Sequence, residues 1–181
     1  MKPQLRKKFI NLRKKKYFEL NLEQVNSISS FLSKIIKQFK IKIIGGYYPI
    51  NFEINILPIL ELLKKQCSVA LPTVLQNNKM DFRIWNEHDP LFVNKFGILE
   101  PSKKNKKVIP QLFLTPLLAF DQKLNRLGYG RGYYDRYLIK NKKFLTFGVA
   151  FSFQKIKTLP VDKNDVPLKG IITEQDNWMQ K

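Results

Sequence analysis

Four short runs, IKIIGGYYP (41–49), SVALP (68–72), VIPQLFLTPLLAFD (108–121) and FLTFGVAF (144–151), carry few polar side chains. A strand with one face in water alternates apolar and polar residues, whereas one that is apolar throughout must be covered on both faces. Segments of helical period lie around these runs. Residues 3–20 put Leu5, Phe9, Leu12 and Lys16 on one side and the remaining charges opposite. Residues 22–39 repeat Val25, Ile28, Phe31, Leu32, Ile35, Ile36 and Phe39 at helical spacing, and 53–66 read as a helix that admits Pro58 only near its first turn. Residues 79–85 alternate like an exposed strand, 90–101 read as a loop with little regular structure, 133–141 as a helix, and the tail GIITEQDNW ends in an edge strand. Helices alternating with buried strands predict an α/β fold: a single three-layer domain over 1–181, its mostly parallel central sheet flanked by helices.

Composition narrows the chemistry. Cys67 is the only cysteine, which excludes a disulfide framework and a thiolate metal site. His88 is the only histidine and lies in the polar stretch WNEHDP, so a serine hydrolase, a zinc enzyme or a histidine-based acid–base catalyst is not expected. The formal charge of +19 suits polyanionic partners, nucleic acid or phosphorylated ligands among them. Lysine supplies 27 of the 33 basic residues and falls in separate clusters at 6–16, 103–107 and 140–143, which argues against one dedicated nucleic-acid face. The apolar runs are too short to cross a bilayer, and the basic N-terminus lacks the apolar stretch of a secretory signal. The expectation is a cytoplasmic, monomeric protein with no membrane partner.

The segment RLGYGRGYYDRYL (126–138) places three of the chain's eight glycines within five positions. A buried strand precedes it and a helix is predicted to follow, whose free N–H groups and positive dipole end would attract phosphate, and in open α/β sheets ligands bind at the carboxyl ends of strands. Gly128, Gly130 and Gly132 let backbone N–H groups approach a phosphate chain, Arg126 and Arg131 add fixed positive charge, and Asp135 could hold a magnesium ion. The spacing G-x-G-x-G is neither the dinucleotide fingerprint nor a Walker loop. A tight turn whose tyrosines pack on the core is the other reading.

The longer block PLLAFDQKLNRLGYGRGYYDRYL (116–138) resembles the signature of the 5-formyltetrahydrofolate cyclo-ligase family, also called methenyltetrahydrofolate synthetases. KPQLR (2–6), FEIN (52–55), VALP (69–72), MDF (80–82), GILEP (97–101) and PVDKNDVPL (160–168) match further family blocks in order. The resemblance implies ATP-dependent ring closure of 5-formyltetrahydrofolate to 5,10-methenyltetrahydrofolate, with release of ADP and phosphate. It implies that Lys2 and Arg6 contact ATP phosphates, with catalytic charge supplied by Lys2, Arg126 and Arg131. Glu53 and Tyr48 belong to the folate side, and Arg126, Gly128, Tyr129, Gly130, Arg131, Gly132, Tyr133 and Tyr134 to a loop that serves both substrates. Asp135 and Asp165 match the aspartates associated with Mg2+. The chain departs from the pattern at Lys169, where an aspartate is common, and at Gln111, which replaces an aspartate after proline. A polyanion- or RNA-binding protein on the same fold, and a relative acting on another substrate, are the alternatives.

Overall fold

The structure is a computed structural model that describes residues 1–86, 88–140, 144–162 and 165–180. Most of the third lysine cluster, 141–143, lies outside the described residues. The first helix, α1 (Lys2–Lys16), has proline in its opening turn, where the missing N–H costs nothing. It ends before Tyr17, short of the predicted residue 20, and Lys16 is exposed. The expectation that the remaining charges face away from its apolar side fails at Arg13. That side chain is 1% exposed and lies one turn beyond Phe9 on the same face.

The second helix, α2 (Leu22–Gln38), starts at a reciprocal cap between Asn21 and Gln24. It buries Val25, Ile28, Leu32, Ile35 and Ile36, and with α3 (Leu57–Leu63) it covers one face of the central sheet. Each fully buried Ile or Leu contributes about 1.5–3 kcal/mol. Pro58 sits in the first turn of α3, as its chemistry requires.

Four strands match the four apolar runs: β1 (Ile43–Gly45), β2 (Ser68–Val74), β7 (Leu112–Pro116) and β10 (Leu145–Val149). They pair in parallel, in the order β10-β7-β1-β2, and β11 (Gly170–Ile172) joins β10 in parallel. Both faces are buried, with Ile44, Val69, Leu112 and Phe147 beneath α2 and α3, and Ala70 and Phe113 packed with Phe82 and Leu138 on the other side. Antiparallel strands flank the parallel core: β12 (Asn177–Met179) on β11, and β3 (Met80–Ile84) with β6 (Lys107–Val108) beyond β2. The tail thus supplies an inner strand as well as an edge.

Four expectations are corrected. β3 is not an exposed strand: Met80, Asp81 and Phe82 are buried, Phe82 against Phe113 and Tyr137 on the sheet face. The stretch 90–101 forms a hairpin, β4 (Leu91–Val93) with β5 (Leu99–Pro101), closed by the Asn94 side chain accepting from the Phe96 and Ile98 N–H groups. The third apolar run does not continue as one strand to Asp121. It ends at Pro116, and β8 (Ala119–Phe120) folds back on β9 (Arg126–Leu127) as a separate ribbon. The helix after the glycines, α4 (Tyr133–Leu138), has only six residues, so its dipole contributes less than expected.

Gln111 serves as an acceptor: its Oε1 takes the N–H groups of Lys42 and Ile43 at 2.7 and 3.2 Å. Lys169 is exposed, and its backbone N–H donates to Thr146 O in the sheet.

Candidate active site

A cavity of about 490 Å³ opens at the carboxyl ends of β1, β2 and β7, within the range of small-molecule sites. All fourteen side chains or glycines singled out from the sequence line it: Lys2, Arg6, Tyr48, Glu53, Arg126, Gly128, Tyr129, Gly130, Arg131, Gly132, Tyr133, Tyr134, Asp135 and Asp165. The wall also contains residues the sequence reading missed, notably Asn94 and Phe96 on the β4–β5 hairpin, and Asp162.

The ribbon β8–β9 presents Arg126 to the cavity. Asp121 is buried in its turn, where Oδ1 accepts from Lys123 and Asn125 and Oδ2 from Leu159 N–H and the Asn125 amide. Burial works toward its neutral acid, yet these donors hold the carboxyl below the usual aspartate value. Asp121 therefore shapes the loop rather than the cavity. Arg126 follows at once, its Nη1 donating to Val166 O at 2.9 Å and its Nη2 to Asp135.

The glycines divide by reason. Gly130 and Gly132 have φ of +92° and +64°, which L side chains rarely adopt. Gly128 is different: a Cβ built there meets no atom of the described residues within 4 Å, so packing and backbone do not demand glycine. Its bare backbone faces the cavity instead. Arg6 Nε donates to Gly128 O at 2.9 Å, tying α1 to the loop, and the Arg131 guanidinium lies 4.0 Å from the centre of the Phe96 ring. The N-terminal basic run is thereby partitioned. Lys2, Arg6 and Arg13 turn inward, while Lys7, Lys8, Lys14, Lys15 and Lys16 are exposed.

Three carboxylates of the wall are held by cations. Lys2 Nζ bridges Asp162 Oδ2 at 2.5 Å and Asp165 Oδ2 at 2.7 Å. Burial favours neutral Asp165, but the Asp162 N–H and then Lys2 overcome it and lower its pKa. Asp135 pairs with Arg126. Among the described residues no group of three or more His, Cys, Asp or Glu could hold a metal by itself. Asp135 and Asp165 line one cavity, and this two-carboxylate donor set suits Mg2+, which usually completes its shell with phosphate oxygens and water.

Glu53 also lines the cavity and is 5% exposed. The turn before it carries Asn51 and Phe52 at positive φ, and Glu53 Oε2 closes that turn by accepting from Ile50 N–H at 3.0 Å. Oε1 has no hydrogen-bond donor among the described residues, nor has the buried Tyr134 hydroxyl a partner. Burial pushes the Glu53 carboxyl up to about 7, against the opposing pull of Arg13, the Ile50 N–H and Tyr129. Burial, then the Glu53 charge, likewise raise the Tyr129 phenol to about 12. A cavity lined by four cations and by a buried carboxylate whose Oε1 has no hydrogen-bond donor among the described residues suits a polyanion next to a ring that donates N–H groups.

The model of the 5-formyltetrahydrofolate cyclo-ligase family matches residues 1–174. A 5-formyltetrahydrofolate cyclo-ligase of Haemophilus influenzae is 35% identical over 155 residues, covering 81% of this chain and 83% of its own. The solved 5,10-methenyltetrahydrofolate synthetase of Aquifex aeolicus superposes with a TM-score of 0.82 at 32% identity, covering 98% of this chain and 92% of its own. That of Mycoplasma pneumoniae gives 0.71 at 28% identity, with 96% and 98% covered. With the family match spanning nearly every element that builds the cavity, this chain belongs to the 5-formyltetrahydrofolate cyclo-ligase family.

Proposed function

We propose that this cavity converts 5-formyltetrahydrofolate to 5,10-methenyltetrahydrofolate at the expense of ATP. The observation that carries the reading is the lining of one cavity, which joins Lys2, Arg6, Arg126 and Arg131 to the glycine loop and to the buried Glu53. The formyl oxygen is a poor leaving group. Transfer of the γ-phosphoryl group onto it releases ADP and leaves a carbon that bears phosphate through its oxygen; the ten-position nitrogen attacks that carbon and gives up its proton, and the C–O bond breaks to expel phosphate. Such a transfer needs position and positive charge rather than a histidine or thiol, which suits a chain whose one histidine is exposed and whose one cysteine is buried outside the cavity.

Lys2 and Arg126 are the groups that would leave Asp165 and Asp135 for phosphate oxygens, freeing both carboxylates to hold Mg2+. The bound cation would neutralise phosphate charge. Glu53 Oε1 and the Tyr134 hydroxyl receive and orient the pterin, and Tyr48, Tyr129 and Tyr133 give it aromatic walls. All these groups come from one chain, and the reading takes the enzyme to act as a single-domain monomer in the cytoplasm. No described helix is long and apolar enough to cross a membrane.

The test is incubation with 5-formyltetrahydrofolate, ATP and Mg2+. The near-ultraviolet absorbance of the methenyl product should rise with equimolar ADP, and EDTA should stop both. Absence of product at ample enzyme refutes the reading, and nucleotide binding that ignores the folate would mean another substrate. Gly128→Ala gives a second check. Where φ is compatible, alanine stabilises by about 0.4–1 kcal/mol, so melting should hold or improve. The methyl group enters the space kept for phosphate, and the KM for ATP should rise about ten- to a hundredfold. An unchanged KM would show that the loop does not cradle ATP.

A further inference from the structure

Arg13 is the charged side chain that the mechanism above leaves unused. It lies behind the cavity wall, 1% exposed, on the face of α1 that carries Phe9. Its Nη1 donates to Leu117 O at 3.3 Å and stands 3.9 Å from Glu53 Oε1, and its Nη2 donates to the Tyr129 hydroxyl. A buried guanidinium costs more than an apolar side chain of similar length would, so a fold needing only packing has no use for it. Its polar atoms point at two groups of the wall, and the nearer Glu53 oxygen is the one with no donor among the described residues.

We propose that Arg13 is a positioning residue for the reduced folate, fixing the Glu53 carboxylate and the Tyr129 hydroxyl from behind so that Oε1 meets the N–H donors of the pterin ring. The inference rests on the assignment of Glu53 to the folate. Glu53 is faced by Arg13 from α1, by Tyr47 and the Ile50 N–H from its own loop, by Tyr129 from the glycine loop and by Tyr134 from α4. Arg13 is the one cation among these groups. Burial raises the Glu53 pKa and Arg13 opposes the rise, so loss of Arg13 moves the carboxyl further up.

The experiment compares wild type, Arg13→Gln, Arg13→Lys, Glu53→Gln and the double variant Arg13→Gln/Glu53→Gln, with full pH profiles of kcat/KM for the folate. Arg13→Gln should raise the folate KM about tenfold or more, leave the ATP KM within about twofold, and shift the acidic limb to higher pH. Arg13→Lys should return the limb toward wild type, and in the Glu53→Gln background the Arg13 effect should shrink to about twofold or less. A folded Arg13→Gln protein with an unchanged limb, or equal losses toward both substrates, overturns the proposal. If Arg13→Gln does not fold, Arg13→Lys is read in its place, by a raised folate KM and a limb kept near wild type. Failure of both to fold assigns Arg13 to structure and also overturns it. An unchanged folate KM in Glu53→Gln removes the parent assignment, whereas a raised one with no response from Arg13 removes only this inference.

Discussion

Arg126→Ala is expected to lower kcat/KM for ATP by about 10²–10³-fold, the loss typical of removing one preorganised donor from a site of developing charge. The guanidinium is held in the wall with 5% of its side chain exposed, and its bond to Val166 O keeps it in place when the other nitrogen exchanges Asp135 for phosphate. A charge placed before the phosphoryl group moves needs no further reorganisation during the transfer. Part of the loss will be structural, because Arg126 also ties residue 166 to β9, and a buried hydrogen bond from a charged donor is worth about 2 kcal/mol. Arg126→Lys separates the two effects. It keeps a cation but cannot fork between carbonyl and carboxylate, so it should recover part of the activity at a melting temperature still below wild type. Wild-type ATP kinetics in a folded Arg126→Ala protein would remove Arg126 from the phosphate site.

How far the sequence announced this site depends on what each residue had to signal. The parallel strands were legible because burial on both faces leaves almost no polar residue, as in Leu112–Leu114. Periodicity could not show where such a run ends. Pro116 closes β7 and the ribbon β8–β9 begins three residues later, yet the apolar pattern runs straight through both. The β4–β5 hairpin was missed because its strands have three residues each, too few for a period. Its signal was Asn94 three residues before Gly97, an Asx turn closing on a glycine at φ +74°.

The glycine loop declared itself by composition, but the reason first given for it changes. With α4 only six residues long, the positive end of a helix matters less than the Arg6 guanidinium lying against Gly128 and Gly130. Arg13 was hidden by an assumption about charge. Within a basic run, Leu5, Phe9 and Arg13 follow one another at intervals of four and so share a face, which was the available clue. Spacing outranks charge there because the arginine finds partners inside, in Leu117 O and the Tyr129 hydroxyl.

Glu53→Gln is the second large effect, and it has two opposite signs. Toward the folate, a neutral amide presents an N–H where a carboxylate would accept, so kcat/KM should fall about 10²-fold or more while the KM for ATP changes far less. The reverse pattern would place Glu53 on the nucleotide side. Toward stability the sign turns with pH. The folded-state pKa, about 7, lies above the ordinary 4.5, so between those values the folded protein binds the extra proton and rising pH favours unfolding. Wild type therefore holds this contribution in full below pH 4.5 and loses it as pH climbs through 7, a difference of about 3 kcal/mol by pH 8. The Glu53→Gln protein has no such proton to lose, and any cost of leaving Arg13 beside a neutral amide is the same at every pH. Denaturant unfolding of both proteins from pH 5 to 8 should show the variant gaining steadily on wild type. A gap that stays constant would mean that Glu53 is ionised at its ordinary value, and the acid limb of the folate profile would then have to belong to another group.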